Sequence, residues 1–448
     1  MTGDAPKGIF SGKVFALVVF YIFNAAMGIV NGVLTAALLG PAGKGEYYLL
    51  VLLPTTVVVL TQLGLPSAFS YYSAKGQTRG LVTRALTLGG IFSAVAVAGT
   101  VLLLPILQRT LLRGPDPPLI ILGMLAVPFA LTTTFLTAVV IGRQAVRWSI
   151  SANAVTSMAS LFMLVALVGI AGLGVMGAVI AVLGTRAVQF LGFYLGANAV
   201  TRKISSTRVV PVQDLFRYGL PLYPGSVTLF FGYRFDVYLL AWLLADPTTH
   251  LGYYSMAVAM AEMSLMVPNA VMTLFFPYVA GSAPDASNRH LGLTSRVTLL
   301  LTGVAAAALV PASMVLFFAV LPEFSPALPA LFVLLLSVVG LGASKVMSAY
   351  LLGVGMTSII SAINVGAFGL NVALNLILIP RYGILGAAIA SLVTYLATAV
   401  ASSVTATRVA GVPITDVWVP RRADVVFILE SVRAQLARRA PPRRSQLP

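Results

Sequence analysis

The run FFGYRFDVYLLAWLL at 230–244 is apolar apart from Arg234 and Asp236. A guanidinium presents rigid, planar donors that suit a carboxylate or a phosphate. A carboxylate kept from bulk water can balance a cation or take up a proton. Two residues apart on a helix, the pair point about 200° from each other, so they are not each other's local partner. Each needs its own partner or water, because an uncompensated charge inside an apolar span costs about 3 kcal/mol or more.

Arg186, Glu262 and Lys345 sit in other apolar runs, Lys345 about 12 Å from the end of its run by helical rise. Glu262 is a candidate partner for Arg234, and Arg186 or Lys345 for Asp236. Two readings stay open. In one, Arg186, Arg234 and Lys345 line an aqueous cavity and hold an anionic substrate, while Asp236 or Glu262 takes up a proton or a sodium ion. In the other, the same residues are interhelical ion pairs that fix packing. Asn364, Asn371 and Asn375 fall on one helix face, as do Asn24 and Asn31, and Gln62 follows in the next run. Such neutral groups serve a hydrated cavity wall or ordinary interhelical hydrogen bonding.

Other chemistry finds little support. The chain has no cysteine, which removes thiolate nucleophiles and sulfur metal sites. Glu46, Asp116, Asp246, His250 and Glu323 are scattered between runs and form no acid–base or nucleophile–base set, so neither an enzyme nor a cofactor is expected. The segment GPAGKGE (40–46) has the look of a phosphate-binding loop, but its spacing is short and Gly45 follows Lys44 where Ser or Thr is needed.

The elements that position these residues follow from composition. Of 448 residues, 59% are hydrophobic and 9% charged, against about 25% charged in a soluble domain. Apolar runs long enough for a ~30 Å hydrocarbon core predict about twelve spans. They fall near 14–39, 47–73, 82–107, 118–141, 150–172, 174–200, 219–244, 253–280, 295–321, 327–353, 357–380 and 383–407. The fold class is therefore an all-α polytopic membrane protein, since backbone in lipid must satisfy its own hydrogen bonds. The ten-residue alternation of a transmembrane strand barrel is absent. The first run follows Lys7 and Lys13 as a signal peptide would, but it continues too far and is expected to remain as an uncleaved span.

The net charge of +16 is unevenly spread. With the N-terminus inside, inner segments hold Lys7, Lys13, Lys75, Arg79, Arg84, Arg143, Arg147, Arg202, Lys203, Arg208, Arg217, Arg289 and Arg296. The tail adds Arg408, Arg421, Arg422, Arg433, Arg438, Arg439, Arg443 and Arg444. Outside fall Lys44, Arg109, Arg113 and Arg381. This asymmetry places both termini in the cytoplasm. The excess reads as orientation and attraction to anionic inner-leaflet lipid, with no nucleic acid as partner.

GPAGKGEYY (40–48) aligns with DPTTHLGYY (246–254) at an offset of 206, matching Pro41 with Pro247, Tyr47 with Tyr253 and Tyr48 with Tyr254. GVMGAVIA (174–181) mirrors GILGAAIA (383–390). The repeat predicts two parallel six-helix bundles around a central cavity. Their expected bounds are 1–200 and 219–410, with a cytoplasmic linker at 201–218 and a basic tail at 411–448. Within the tail, Val425, Ile428, Leu429, Val432 and Leu436 recur with arginines opposite, an amphipathic helix for the cytoplasmic leaflet.

The stretch RFDVYLLAWLLADPTTHLGYYSMAVAM (234–260) resembles the start of the second half of oligosaccharide-lipid flippases. These belong to the multidrug/oligosaccharidyl-lipid/polysaccharide exporter superfamily. NVALNLILIPRYGILGAAIAS (371–391) is similar to their eleventh and twelfth spans. LTAALLGPAGKGEYYLLV with LGLPSAFSYYSAKG resembles their first two. The resemblance covers about residues 10 to 410. It implies a cavity that opens alternately to either side of a bacterial cytoplasmic membrane, and an undecaprenyl-diphosphate-linked glycan as substrate for surface polysaccharide. The carry-over reaches Arg234 and Asp236 by motif position, and Arg186 and Lys345 by location. The first span has Asn24 and Asn31 where the lipid II branch has arginine and the multidrug branch often has a carboxylate. The alternative of the same superfamily is a cation-coupled multidrug exporter, which would want more carboxylates than cations in its spans.

Overall fold

The computed structural model describes residues 12–110, 112, 114–202 and 209–439. Those residues are nearly all helical, and the β-pairing among them is one isolated parallel bridge between Arg79 and Val209. In chain order the helices are α1 (Gly12–Thr61), α2 (Leu65–Ala74), α3 (Leu81–Thr110), α4 (Pro117–Met124), α5 (Val127–Gly142), α6 (Val146–Leu164), α7 (Gly174–Arg202) and α8 (Val212–Gly219). They continue with α9 (Tyr223–Leu243), α10 (Pro247–Met263), α11 (Met266–Gly281), α12 (Pro284–Val315), α13 (Leu328–Gly353), α14 (Thr357–Ala410), α15 (Thr415–Trp418) and α16 (Arg422–Arg439).

Eight helices among the described residues are long and apolar enough to cross a membrane, or nine if α10 and α11 count together as one span. The apolar segments read from the sequence are present, but not each as a separate long helix. The first two lie in α1, which breaks at Gly40, and the last two in α14, which breaks at Gly383. The second segment begins earlier than expected, at Pro41, and is interrupted at residues 62–64 before α2. Proline and glycine beside Gly40 looked like a loop, yet proline is tolerated in the first turn of a helix and α1 simply restarts there. Lys44 is consequently a helical residue, not an outer-loop cation.

The chain divides into two bodies: residues up to Met263 with Ala312–Leu334 and Asn364–Ser391, and Ser264–Pro311 with Leu335–Ile363 and the segment from Leu392. The first body is built around Phe69, Phe135, Leu131, Met124 and Phe193, with Phe69 and Phe135 stacked at 5.2 Å. The repeat is visible inside it. Gly174 and Gly383, at matching places in the two copies, have φ of 54° and 58°, a left-handed backbone that side chains resist. A Cβ on Gly45 would overlap the Thr248 carbonyl, and one on Gly252 would overlap the Pro41 carbonyl. Each glycine thus receives a carbonyl from the first turn of the other helix.

The second body packs Phe275, Leu291, Met347, Tyr350, Ala406 and Val417 together. Here the start of the tail is fixed. Gly411, at φ 67°, ends α14, and Asp424 of α16 is buried against Arg296 of α12. Val425, Val426, Phe427 and Leu429 are all exposed. The linker residues 203–208 and the tail residues 440–448 lie outside the described residues, as do Lys7 and Arg113.

Candidate functional site

Helix α9 begins with Pro224 in its first turn, where the missing amide costs nothing. It carries Arg234 and Asp236 beside α10, to which it is joined by only three residues. Arg234 grips Glu262 at two points, Nη1 to Oε1 at 2.9 Å and Nη2 to Oε2 at 3.0 Å. This is the pairing expected from the sequence. The two side chains stay 27% and 38% exposed, so the pair is accessible.

Asp236 differs from its expectation. It is buried, and its carboxylate accepts from the Val237 amide at 2.9 Å and from the Tyr254 hydroxyl, rather than from Arg186 or Lys345. A neutral phenol supplies the hydrogen bond without a second ion to desolvate. Tyr254 is the repeat mate of Tyr48, and Tyr48 lies beside Arg234. One tyrosine from each copy therefore attends one of the two charges in α9. Tyr238, a turn below Arg234, shares a 2.6 Å hydrogen bond with Thr56 of α1.

Arg186 stands on α7 and is half-buried. Its Nη1 donates to Gln189 Oε1 at 3.0 Å, and Gln189 donates on to Asn153 Oδ1 at 3.4 Å. Tyr47, next along α1 from Tyr48, lies near it. With Pro54, Thr55, Ala126, Ala130 and Val182, Arg186 lines a small cleft. The residue missed by sequence reasoning is Lys44. It is 7% exposed, donates to the Thr35 hydroxyl and the Gly32 carbonyl (3.3 Å), and sits 5.5 Å from the Tyr47 ring centroid. Half-buried Arg186 and buried Lys44 thus carry positive charge whose hydrogen-bond partners are neutral. Only the helical reading of 41–48 could have found Lys44, through its place one turn before Tyr47 and Tyr48.

Two of the neutral residues, Asn24 and Asn31, join α1 to α6. Asn31 donates to Ser160 at 2.7 Å, and Asn24 accepts from Ser157 at 3.3 Å. Asn375 donates to the Asn371 side chain at 2.8 Å. Gln62 ends α1, its amide bonded to Val58, and is partly exposed like Asn364. Lys345 is half-buried in the second body. Among the described residues no group of His, Asp and Glu is placed to hold a metal ion.

Comparison with known proteins decides the lineage. Residues 11–282 match the model of the family described as polysaccharide biosynthesis protein. The chain belongs to this family. Solved structures similar to this chain share its fold at low identity. Lipid II flippase MurJ in an inward closed conformation has a TM-score of 0.70 and 14% identity, over 94% of this chain and 92% of the other. An inward-facing multidrug resistance MATE family transporter of the MOP superfamily has a TM-score of 0.65 and 13% identity, over 88% and 98%. A MOP superfamily transporter from Pyrococcus furiosus has a TM-score of 0.57 and 14% identity, over 91% and 99%. No curated protein matches the sequence. The fold is the one that these flippase and transporter structures share.

Proposed function

We propose that the protein is a flippase that carries an undecaprenyl-diphosphate-linked oligosaccharide across a bacterial cytoplasmic membrane by alternating access, for surface polysaccharide assembly. In this reading residues 1–200 and 219–410 form two six-helix halves with both termini cytoplasmic. The observation that carries it is surplus cation: among the described residues, half-buried Arg186 and buried Lys44 have only neutral hydrogen-bond partners, and Arg234 is held by an accessible carboxylate. A diphosphate supplies the missing anionic oxygens, and guanidinium donors match them in geometry. The chemistry needed is binding and release, which the family membership supports.

Arg186→Ala and Arg234→Ala are each expected to abolish glycan export and to accumulate the lipid-linked precursor on the inner leaflet, with the protein still folded in the membrane. Normal surface glycan in both variants would overturn the cation site. The second reading, a cation-coupled multidrug exporter, has one observation in its favour: Asp236 and Glu262 stand together with Arg234 on α9 and α10. It requires that Asp236→Asn change drug tolerance while leaving glycan export intact.

A further inference from the structure

A second concentration of positive charge lies where α2, α3, α5 and α8 meet in the first body. Ser73 Oγ donates to the Val139 carbonyl at 2.7 Å, and Arg143 Nη1 reaches the Ser73 carbonyl at 3.4 Å, so the C-terminal ends of α2 and α5 touch. The turn into α3 is closed by Thr78 to Gly76 at 3.0 Å, Leu81 to Thr78 at 3.1 Å and Arg84 to Gly80 at 3.0 Å. Tyr218 of α8 stacks on Tyr71 at 4.3 Å. Lys75, Arg79, Arg84, Arg143 and Arg217 therefore share this end of the body. None of them belongs to an ion pair found among the described residues. Lys75 lies 4.5 Å from the Tyr71 ring centroid. Arg84 Nη1 is sealed from solvent with no hydrogen-bond partner.

Membrane orientation does not demand this arrangement. Cations that set topology need only reach water, whereas a sealed guanidinium nitrogen with idle donors is unfavourable. We propose that Arg84, at the same end of the body as Arg143 and Lys75, binds a phosphate group. Planar N–H donors fit phosphate oxygens, and the neighbouring charges add attraction that salt would screen. The site is separate from the cluster on α9. Tyr223, at the start of α9, bonds the Leu60 carbonyl, and Arg234 stands about 16 Å further along the helix by its rise. A phospholipid headgroup and soluble pyrophosphate offer the same oxygens.

Purified full-length protein in neutral detergent is titrated separately with phosphatidylglycerol and with inorganic pyrophosphate, and bound probe is counted by native mass spectrometry. Wild type is expected to retain probe, and Arg84→Gln to weaken retention roughly tenfold or more. Arg143→Gln should weaken it less, and Arg289→Gln, an exposed cation of the second body, not at all. Retention of phosphatidylglycerol alone assigns a lipid headgroup; retention of pyrophosphate, with or without the lipid, assigns a soluble phosphate. Equal retention by wild type and Arg84→Gln, or none by wild type, overturns the proposal. Should Arg84→Gln fail to fold, Arg84→Lys keeps the charge without the planar fork, and retention equal to wild type would then overturn it. Neither result depends on glycan export by Arg186 variants.

Discussion

Arg296 with Asp424 and Arg234 with Glu262 are both two-point guanidinium–carboxylate contacts, yet their surroundings differ. In the second body, Arg296 Nε and Nη2 reach the two Asp424 oxygens at 2.8 and 3.0 Å, with side chains only 9% and 1% exposed. The neighbours add anchors. Asp424 also accepts from the Arg421 amide at 2.7 Å, Ser295 donates to the Val417 carbonyl at 2.9 Å, and Trp418 donates to Ser403 at 3.0 Å. In the first body, Arg234 and Glu262 remain accessible, and Arg186 and Lys44 bring charge with no carboxylate attached. A sealed pair with every oxygen occupied fixes structure. An accessible pair near surplus cations can exchange its partner for an anionic ligand.

The comparison breaks most visibly at Asp424. Asp424→Ala would strand Arg296 and remove the reach-back bond to the first amide of α16, together about 3 kcal/mol of tail docking. The expected outcome is faster amide hydrogen exchange across residues 415–430 with little change in α9 and α10. Unchanged protection would mean that the pair does not hold the tail. A smaller effect is expected at the accessible pair. A double-mutant cycle on Arg234→Gln and Glu262→Gln should give a coupling of about 1 kcal/mol from melting in detergent, because solvent screens the pair. Coupling as large as that of Arg296 and Asp424 would make the α9 pair a structural one and erase the contrast.

Several parts of this contrast were legible from residue types alone. Apolar runs and sparse charge gave away a membrane helix protein, and the matched Pro–Tyr–Tyr segments gave away the repeat. Glu262 was recoverable as the partner of Arg234 because it is the lone acid in the next apolar run. Asp236 was misassigned because charge arithmetic looks for a cation, whereas burial favours one neutral phenol, Tyr254. Lys44 was misplaced because Gly40 and Pro41 read as a turn between spans, while the chain uses them to restart a helix. The tail anchor was invisible for a different reason: Arg296 and Asp424 are far apart in sequence, and nothing periodic joins them.

The smallest effect expected separates the two regions by pH. The Arg296 guanidinium beside Asp424 holds its carboxyl below the ordinary carboxylate range. A lowered folded value means that the charge stabilises docking fully above the unfolded pKa of about 3.9, and that this contribution fades as pH falls through the folded value. Tail docking should therefore be constant from neutral pH down to about 4 and weaken only below it. Trp418 emission in a Trp148→Phe, Trp242→Phe background reports this directly, since its indole bonds Ser403 in the same body. A transition well above pH 4 would instead mean that a group other than Asp424 governs docking of the tail. An Asp424→Asn chain should lose the acid transition and be loosely docked at every pH, because the amide cannot supply the charge that Arg296 requires.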